Sequence, residues 1–343
     1  MTLQRRPAHL RIETVQDAKT DTYSEDVLAV LCGEQNAHVL VADGAWQRIQ
    51  TTRHLQPLLD RYGNETTPGR YAALVTRDTT LMHAVQHPSS PLREALLAAN
   101  HQLRAQLATV WGALSTGAVL EREPDLTPLR DDPRLLRLIL PVCVATLARI
   151  DLIGQTLDFA HCGDTALYVY YRDGRVEQLT DDQMQQHDER ALERALQLQK
   201  EQGAANLIDT LFDERVTAVN REHGIYHNYE DAFGKPDTTV GVGTINGLPQ
   251  LAAYIQEGRW SLDGVDAVLI CSDGFSLPAP FRENRADTTT RLERMRARIE
   301  QNGLAGYIQE LRTVERADET RDRYPRFGLH DDATAVYVRF DAT

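Results

Sequence analysis

The chain has 343 residues, of which 42% are hydrophobic and 25% charged, so it can bury a sizeable core and is not a disordered or low-complexity chain. Its 37 Lys and Arg against 50 Asp and Glu give a formal net charge of −13, which argues against nucleic acid or an anionic membrane as the main partner. No apolar run reaches the roughly 18 residues of a membrane span, and the first residues lack the apolar stretch of a secretory signal. We therefore expect a cytoplasmic protein.

Short apolar runs bounded by polar turns predict β-strands along the chain. These runs, mostly rich in Val, Ile and Leu, occupy 26–32, 38–42, 140–150, 157–162, 167–171, 267–271 and 333–340. The dipeptide Asp173-Gly174 separates two further strand-like segments and predicts a two-residue hairpin turn. At least part of the sheet structure is therefore expected to be antiparallel.

Apolar positions at helical spacing predict helices between these strands. The predicted helical segments are 46–62, 92–110, 188–220 and 303–316. Ser90 is expected to cap the second of them and Pro91 to begin it. The proline-rich stretch 122–133 is expected to be a surface loop. Since no Ser/Gly linker divides the chain, we expect a single domain over 1–343, with a helical elaboration around 61–135 and an insertion around 181–240.

Four cysteines stand singly in apolar stretches, and none forms a Cys-x-x-Cys pair. They are Cys32, Cys143, Cys162 and Cys271. Small buried hydrophobic residues in a reducing compartment explain this pattern better than disulfides, zinc ligation or nucleophilic catalysis.

Acidic residues stand at the ends of several predicted strands. The pieces are Glu25-Asp26, Asp43-Gly44, Ser272-Asp273-Gly274 and Asp331-Asp332. Each Asp-Gly taken alone is an ordinary turn. If the strand ends meet at one edge, however, their carboxylates would converge and raise one another's pKa unless a cation joined them. Mg²⁺ or Mn²⁺ prefers such oxygen ligands, and a pair of these ions also lowers the pKa of a bridging water for attack on phosphorus.

Taken in order, these pieces resemble the metal-dependent serine/threonine phosphatases of type 2C, the PPM family. That family runs through Glu-Asp, a strand ending in Asp-Gly, a Gly-Asp followed by a hairpin and Leu-Thr, a strand ending in Ser-Asp-Gly, and a last strand opened by Asp-Asn/Asp-x-Thr. Besides the four pieces above, the matching segments are Gly163-Asp164 and Leu179-Thr180. The resemblance covers nearly the whole chain. It implies an α+β fold, an α-β-β-α sandwich in which two stacked, largely antiparallel β-sheets are flanked by helices.

The resemblance also implies two bound divalent cations, Mn²⁺ or Mg²⁺. In the family, the aspartate at the position of Asp43 bridges both ions, and the carbonyl at the position of Gly44 binds one of them. Asp273 and Asp331 fall on the remaining direct ligands, so Asp43, Asp273 and Asp331 are the candidate catalytic residues.

Three further acidic residues have implied roles around these ions. Glu25 and Asp26 correspond to the pair that acts through waters held by the metals. Asp164, together with Asp273, falls where many members bind a third, looser cation.

The chain departs from the family at two places. Where an arginine four residues before Glu-Asp holds the substrate phosphate, this chain has Asp21. Lys19 could reach the phosphate instead, as a point charge without the fork of an arginine, and Arg11 or an arginine of the insertions is the alternative. The first Asp-Gly continues into Ala45-Trp46 rather than a glycine-rich turn, which would narrow the floor of the site.

Three histidines could be read as catalytic or structural. His54 is expected on a helix surface, and His161 and His330, beside the motif aspartates, are expected to be hydrogen-bonded residues near the core. The segment 181–240 falls where the family carries a variable flap. It is either a recognition element for substrate or partner, or a solvated helical insertion without function.

The implied function is hydrolysis of phosphoserine or phosphothreonine in a phosphorylated protein, by attack of a metal-bridging hydroxide and without a covalent phosphoenzyme. A signalling role follows from that activity. Two alternatives remain open: a catalytically impaired, regulatory binding module of the same fold, suggested by Asp21 and Ala45-Trp46, and a hydrolase of small phosphate esters. The oligomeric state is open as well.

Overall fold

The structure, a computed structural model, describes residues 10–20, 23–45, 54–63 and 66–340. Within this part of the chain, two five-stranded sheets have the strand orders β1-β10-β9-β6-β7 and β2-β3-β4-β5-β8. Every paired neighbour is antiparallel. The strands are β1 (Leu10–Asp17), β2 (Val27–Cys32), β3 (Asn36–Ala45), β4 (Val142–Asp151), β5 (Thr156–Cys162), β6 (Ala166–Tyr171), β7 (Val176–Gln178), β8 (Gln256–Ser261), β9 (Val265–Cys271) and β10 (Ala333–Phe340).

Helices lie on the outer faces of both sheets and in the connection between β7 and β8. They are α1 (Gln56–Leu59), α2 (Pro68–Gln86), α3 (Leu92–Trp111), α4 (Thr116–Arg122), α5 (Pro128–Asp131), α6 (Gln185–Gln202), α7 (Ile208–Leu211), α8 (Glu214–Ile225) and α9 (Arg285–Arg316). None of the helices in the described ranges combines the length and the apolarity that crossing a membrane requires.

Three apolar layers join these elements. Val39 of β3 and Val268 of β9 belong to the core between the two sheets. Leu40, the next residue of β3, belongs instead to the core that contains α2 and α3. On the far side, Met295 of α9 packs with the outer face of the β9 sheet. Because successive side chains of a strand point to opposite faces, strands covered on both faces are apolar without interruption.

This architecture confirms the fold class expected from the sequence. Two stacked antiparallel sheets are covered by helices on both outer faces. The predicted hairpin of β6 and β7 is confirmed, but the expected two-residue turn is wrong: the Tyr171 amide donates to the Arg175 carbonyl (2.9 Å), which leaves the three residues 172–174 in the loop, and Gly174 has a φ of 93°. Glycine takes that left-handed conformation without the steric cost that a Cβ would bring.

The predicted helices need several corrections. In the segment 46–62, only α1 and a 3₁₀ turn (Asp60–Tyr62) are helical among the described residues, and 46–53 lies outside them. The segment 188–220 is three helices, α6 to α8, and 303–316 is the second part of α9, whose backbone turns at Gly303. The stretch 122–133 contains the short helix α5, so it is more than a loop.

The expected start of α3 was wrong by one residue. Pro91 is the N-cap and Leu92 the first helical residue. The Ser90 hydroxyl donates to the His87 carbonyl (3.0 Å) instead of capping α3. Of the four cysteines, three are buried as expected, whereas Cys32 is exposed at the end of β2.

Candidate active site

The ends of β3, β9 and β10 bring acidic side chains of both sheets together. β9 and β10 are neighbours in one sheet, and Asp43 of β3 comes from the other. Asp43 and Asp273 each affect the pKa of the other. Burial raises the pKa of Asp43 well above its usual range, and the charges of Asp26, Asp273, Asp164 and Asp331 raise it further. We call these five residues the carboxylate cluster.

Two members of the cluster show how unfavourable their charges are. Asp26 is only 1% exposed, and neither carboxylate oxygen has a partner in good hydrogen-bond geometry among the described residues. Burial raises its pKa to about 7, although the hydroxyls of Ser272 and Thr334 act in the opposite direction. Asp273 borders an open groove, yet desolvation by the protein and then the charge of Asp331 raise its pKa to about 6.

Gly44 lets two backbone segments approach at the base of the cluster. A Cβ at this position would lie 2.6 Å from the carbonyl carbon of Gly69 and 2.7 Å from the carbonyl oxygen of Glu25. Gly69 belongs to the first turn of α2, so α2 and the Glu25 segment close on β3 directly beside Asp43. Only glycine fits such a contact.

Asp332 holds the backbone at Lys19 and at Glu25 in place. It is 3% exposed, its Oδ1 accepts from the Lys19 amide (2.7 Å), and its Oδ2 accepts from the Glu25 amide (2.8 Å). Glu25 is fixed further by the Thr67 hydroxyl of α2, which donates to Glu25 Oε1 (2.5 Å). Asp332 therefore anchors the backbone that carries Glu25 and Asp26, a role that the sequence motif did not reveal.

Lys19, predicted to bind substrate phosphate, lies among the carboxylates in this structure. Its Nζ is 3.0 Å from Asp331 Oδ1, 3.4 Å from Glu25 Oε2 and 3.8 Å from Asp332 Oδ2. Burial lowers its pKa, but Asp331 and Glu25 outweigh that effect and raise the pKa above its ordinary value. The ammonium thus neutralises part of the acidic charge beside the cluster.

Asp164 extends the cluster toward the segment 181–240, which we call the flap. Burial raises the pKa of Asp164 well above its usual range, followed by the charges of Asp273, Asp182 and Asp188. Asp182 precedes α6 and accepts from the amides of Met184 and Gln185 (both 2.9 Å). The sequence does not reveal these two flap aspartates, because nothing in a polar helical segment marks which acidic residue faces the site.

The donor set of the cluster suits divalent cations, although their ligand sphere is not preformed. Among the described residues, no group of three or more His, Cys, Asp or Glu side chains already stands in a metal-holding arrangement. The oxygens of Asp26 are nevertheless buried and unpaired, and the other carboxylates raise each other's pKa. Hard cations bind oxygen donors of this kind, and their charge would relieve the mutual repulsion.

A groove of about 300 Å³ runs beside the cluster, between the flap and the residues that follow β9 and precede β10. Its lining includes Leu192 of α6, Pro278 after β9, Phe327 and His330 before β10, and both Asp273 and Asp331. Phe327 also packs against the small apolar core of the flap. The groove therefore offers apolar walls next to the acidic cluster.

The histidines near the motifs are structural where their contacts are defined. His161 is fully buried, its Nδ1 lies 2.9 Å from the Thr146 hydroxyl, and its Nε2 lies 3.1 Å and 3.0 Å from the carbonyl oxygens of Gly163 and Asp181. Burial lowers its pKa to about 4. His54 precedes α1 and is exposed, and its Nε2 lies 3.9 Å from Glu123 Oε2. His330 lines the groove, and its Nδ1 has no hydrogen-bond partner in the described structure.

No family model and no curated protein matches the chain. Several solved structures are similar to it along nearly their full length. The serine/threonine phosphatase PstP/Ppp of Mycobacterium tuberculosis is 18% identical, with 97% of this chain and 99% of that chain covered and a TM-score of 0.45. A bacterial serine phosphatase is 12% identical, with 98% and 99% covered and a TM-score of 0.49. RsbX, solved in complex with magnesium, is 8% identical, with 98% of each chain covered and a TM-score of 0.44.

These structural neighbours include serine/threonine phosphatases, the class that the order of motifs resembles. The catalytic domain of PstP has also been solved with 2 manganese ions. At these identities and scores the likeness concerns the overall fold. The chemistry of this chain has to be argued from its own residues.

Proposed function

We propose that the protein is a metal-dependent phosphoprotein phosphatase that hydrolyses phosphoserine or phosphothreonine. The observation that carries this proposal is the meeting of Asp43, Asp273 and Asp331 from two different sheets, with charges that oppose one another. Such an arrangement destabilises the metal-free protein through repulsion between carboxylates, and bound divalent cations would remove that repulsion.

The residues present would hold two cations, Mn²⁺ or Mg²⁺. The proposed direct ligands are Asp43, the Gly44 carbonyl, Asp273 and Asp331. Asp26 and Glu25 would act through waters bound to these cations, and Asp164 would bind a third cation. Two such ions supply positive charge for the phosphate and lower the pKa of water.

The remaining residues of the site prepare it for the substrate. Asp332 fixes the backbone before Glu25 and so sets where the Glu25 and Asp26 carboxylates lie. The groove beside Asp273 would receive the residues that flank the phosphorylated side chain. A phosphorylated protein is therefore the proposed partner, in agreement with neighbours that are serine/threonine phosphatases.

The proposal extends to the organisation of the chain. Residues 1–343 would form a single cytoplasmic signalling domain, with the helical elaboration around 61–135 and the flap over 181–240 next to the groove. Asp182 and Asp188 bring the flap close enough to influence Asp164, which supports a role of the flap at the site.

A regulatory binding module of the same fold is the second candidate. The observation in its favour is that Lys19 already supplies a cation to Asp331 and Glu25. Asp21 and Trp46, the two departures from the family pattern, lie outside the described residues.

Activity measurements separate these candidates. With Mn²⁺ or Mg²⁺, the purified protein should hydrolyse a phosphothreonine peptide and an aryl phosphate, and a chelator should abolish the reaction. Asp43→Asn or Asp273→Asn should lower the rate by about 100-fold or more because a proposed ligand loses its charge. Asp263→Asn is the matched control, since Asp263 belongs to an exposed Asp-Gly turn before β9, at the opposite end of that strand from Asp273.

Three results would contradict the proposal in different ways. Turnover without metal, or full activity of both ligand variants, would refute metal-dependent chemistry at this site. Tight metal binding without turnover on any phosphopeptide would indicate the binding module. Preference for small phosphate metabolites over phosphoproteins would indicate the third reading, a hydrolase of small esters.

A further inference from the structure

Binding of a phosphate dianion beside five carboxylates calls for a cationic donor that is not already paired with a carboxylate. Most basic residues near the site fail this condition. Lys19 contacts Asp331 and Glu25. Arg312 pairs with Asp17 and Glu315, at 2.8 Å and 2.9 Å.

Two further arginines are already paired with carboxylates. Arg326 is paired with Asp318 at 2.8 Å and also donates to the carbonyl oxygens of Tyr324 and Leu329 before β10 and of Glu315 in α9. Arg11, an alternative from the sequence, is a surface residue of β1 that pairs with Glu13 at 2.9 Å. Neither guanidinium can turn to a phosphate without breaking these contacts.

Arg70 differs from all of these. It lies in the first turn of α2, and none of the described carboxylates forms an ion pair with it. Its Nη1 donates to the Ser24 carbonyl, and its guanidinium carbon lies 6.0 Å from the centre of the Tyr23 ring. The positive charge is thus held over the segment that leads directly into Glu25.

The backbone places Arg70 next to the carboxylate cluster. Gly69, its neighbour in the chain, is in close contact with Gly44, which follows Asp43. Thr67 accepts from the Arg70 amide (3.1 Å) and donates to Glu25 (2.5 Å), so the first turn of α2 is tied to the site by a second contact. The backbone that carries the Arg70 side chain is therefore fixed one residue away from the contact with Gly44, a proposed metal ligand.

We propose that Arg70 binds the phosphate group of the substrate. This inference rests on the proposed function and adds a binding residue that the sequence motifs do not mark. Only one of its guanidinium N–H groups is used by Ser24, and a guanidinium carries five, so a pair of donors is left for two phosphate oxygens. Lys19 then pairs with the carboxylates, and Arg70 binds the substrate phosphate.

The test compares Arg70→Gln and Arg70→Lys with a matched control. Arg77→Gln removes an arginine of the same helix that pairs with its neighbour Asp78 at 2.8 Å. For each variant, the KM for an aryl phosphate and the inhibition constant of inorganic phosphate are measured at saturating Mn²⁺. The dissociation constant of Mn²⁺ is measured by calorimetry, and thermal unfolding confirms the fold.

We expect Arg70→Gln to raise both the KM and the inhibition constant by about ten-fold or more, because a charge-assisted pair of hydrogen bonds is lost. Arg70→Lys should show a smaller rise, since it keeps the charge without the fork. The Mn²⁺ affinity should stay within about two-fold in both variants. Arg77→Gln should behave as the unmodified protein.

Several results would overturn the assignment. One is an unchanged inhibition constant in folded Arg70→Gln or Arg70→Lys. Another is an equal loss of Mn²⁺ and phosphate affinity, which would make Arg70 a support for the Glu25 segment only. A rise for Lys19→Gln with no rise for either Arg70 variant would assign the phosphate to Lys19. If Arg70→Gln does not fold, Arg70→Lys decides alone.

Failure of the proposed function can be told apart from failure of this inference. If the unmodified protein shows no turnover with any phosphopeptide, binding of inorganic phosphate to the Mn²⁺-loaded protein is measured directly by calorimetry. Binding that weakens in Arg70→Gln supports Arg70 even without catalysis. Binding that does not weaken, or does not occur, overturns the assignment.

Discussion

Two neighbouring aspartates at the start of β10 have different tasks. Asp331 is exposed and contacts the Lys19 ammonium. Asp332 is buried and accepts from two backbone amides, those of Lys19 and Glu25. Both residues directly precede β10, and one carboxylate is open to solvent while the other holds the backbone of Lys19 and Glu25.

Gly44 is the residue where space is most restricted. We expect Gly44→Ala to lower the free energy of unfolding by about 1–3 kcal/mol, because its Cβ would meet backbone atoms that cannot move aside cheaply. The nearest of these is the Gly69 carbonyl carbon at 2.6 Å. Chemical denaturation measures the change.

Gly117→Ala is the control for this substitution. Gly117 lies in α4, and a Cβ there would have nothing within 4 Å. Its unfolding free energy should stay the same or rise by up to about 1 kcal/mol, since alanine favours the helix. Equal stability of Gly44→Ala and the unmodified protein would show that α2 does not close on β3 as described.

At the level of elements, the site depends on the hydrogen bonds that join the end of β9 to the start of β10. The Ser272 amide donates to the Thr334 carbonyl (2.9 Å), and the Ser272 hydroxyl accepts from the Thr334 amide (3.0 Å). Ser272 precedes Asp273, and Thr334 lies three residues after Asp331. These two hydrogen bonds therefore set the spacing of two proposed ligands.

Ser272→Ala should lower the free energy of unfolding by about 1–3 kcal/mol, because the buried Thr334 amide loses its partner. Ser261→Ala is the matched control: its hydroxyl accepts from the Asp263 amide (3.1 Å), but in an exposed turn. Water replaces that bond, so a change within about 0.5 kcal/mol is expected. Equal effects of the two substitutions in chemical denaturation would contradict the role of Ser272.

Strands that are buried on both faces are easier to predict from the sequence than partly exposed ones. Strands covered on both faces, such as β4 and β9, have uninterrupted apolar sequences and were predicted. β1 and β8 were missed because they lie at sheet edges, alternate with exposed polar residues and lack that signal. Helix breaks such as Gly303 depend on the tertiary path, which periodicity alone does not reveal.

The candidate site was predictable only where local sequence and strand ends coincide. Asp43 and Asp273 stand at strand ends, and the structure brings them together. Asp332 belongs to the last motif, but its contacts with the Lys19 and Glu25 amides depend on the fold. No local pattern marks Asp188 or Arg70. Their recognition requires the fold.

At the level of the whole molecule, part of the net charge of −13 is concentrated in the carboxylate cluster. Two divalent cations would add +4, and −13 + 4 leaves −9. Because cations that bind only the folded chain stabilise it by mass action, we expect the stability of the protein to depend on metal. Without metal, the like charges of the cluster oppose folding.

Mn²⁺ at about 100 times its dissociation constant should raise the free energy of unfolding by about 2.7 kcal/mol, and a chelator should reverse the effect. Asp43→Asn should be more stable than the unmodified protein without metal, because it removes one of the opposed charges, and it should lose the response to Mn²⁺. Thermal unfolding with and without Mn²⁺ measures both effects, with Asp263→Asn as the control. An unchanged Mn²⁺ response in Asp43→Asn would place the metal elsewhere.

The most direct measurement is the crystal structure of the protein soaked in Mn²⁺, with anomalous scattering to locate the ions. We expect two Mn²⁺ ions in contact with Asp43, one of them also bound by the Gly44 carbonyl, with Asp273 and Asp331 as further ligands. Lys19 Nζ should then have left Asp331. Anomalous peaks away from these residues, or no peak at saturating Mn²⁺, would contradict the assignment of the metal centre.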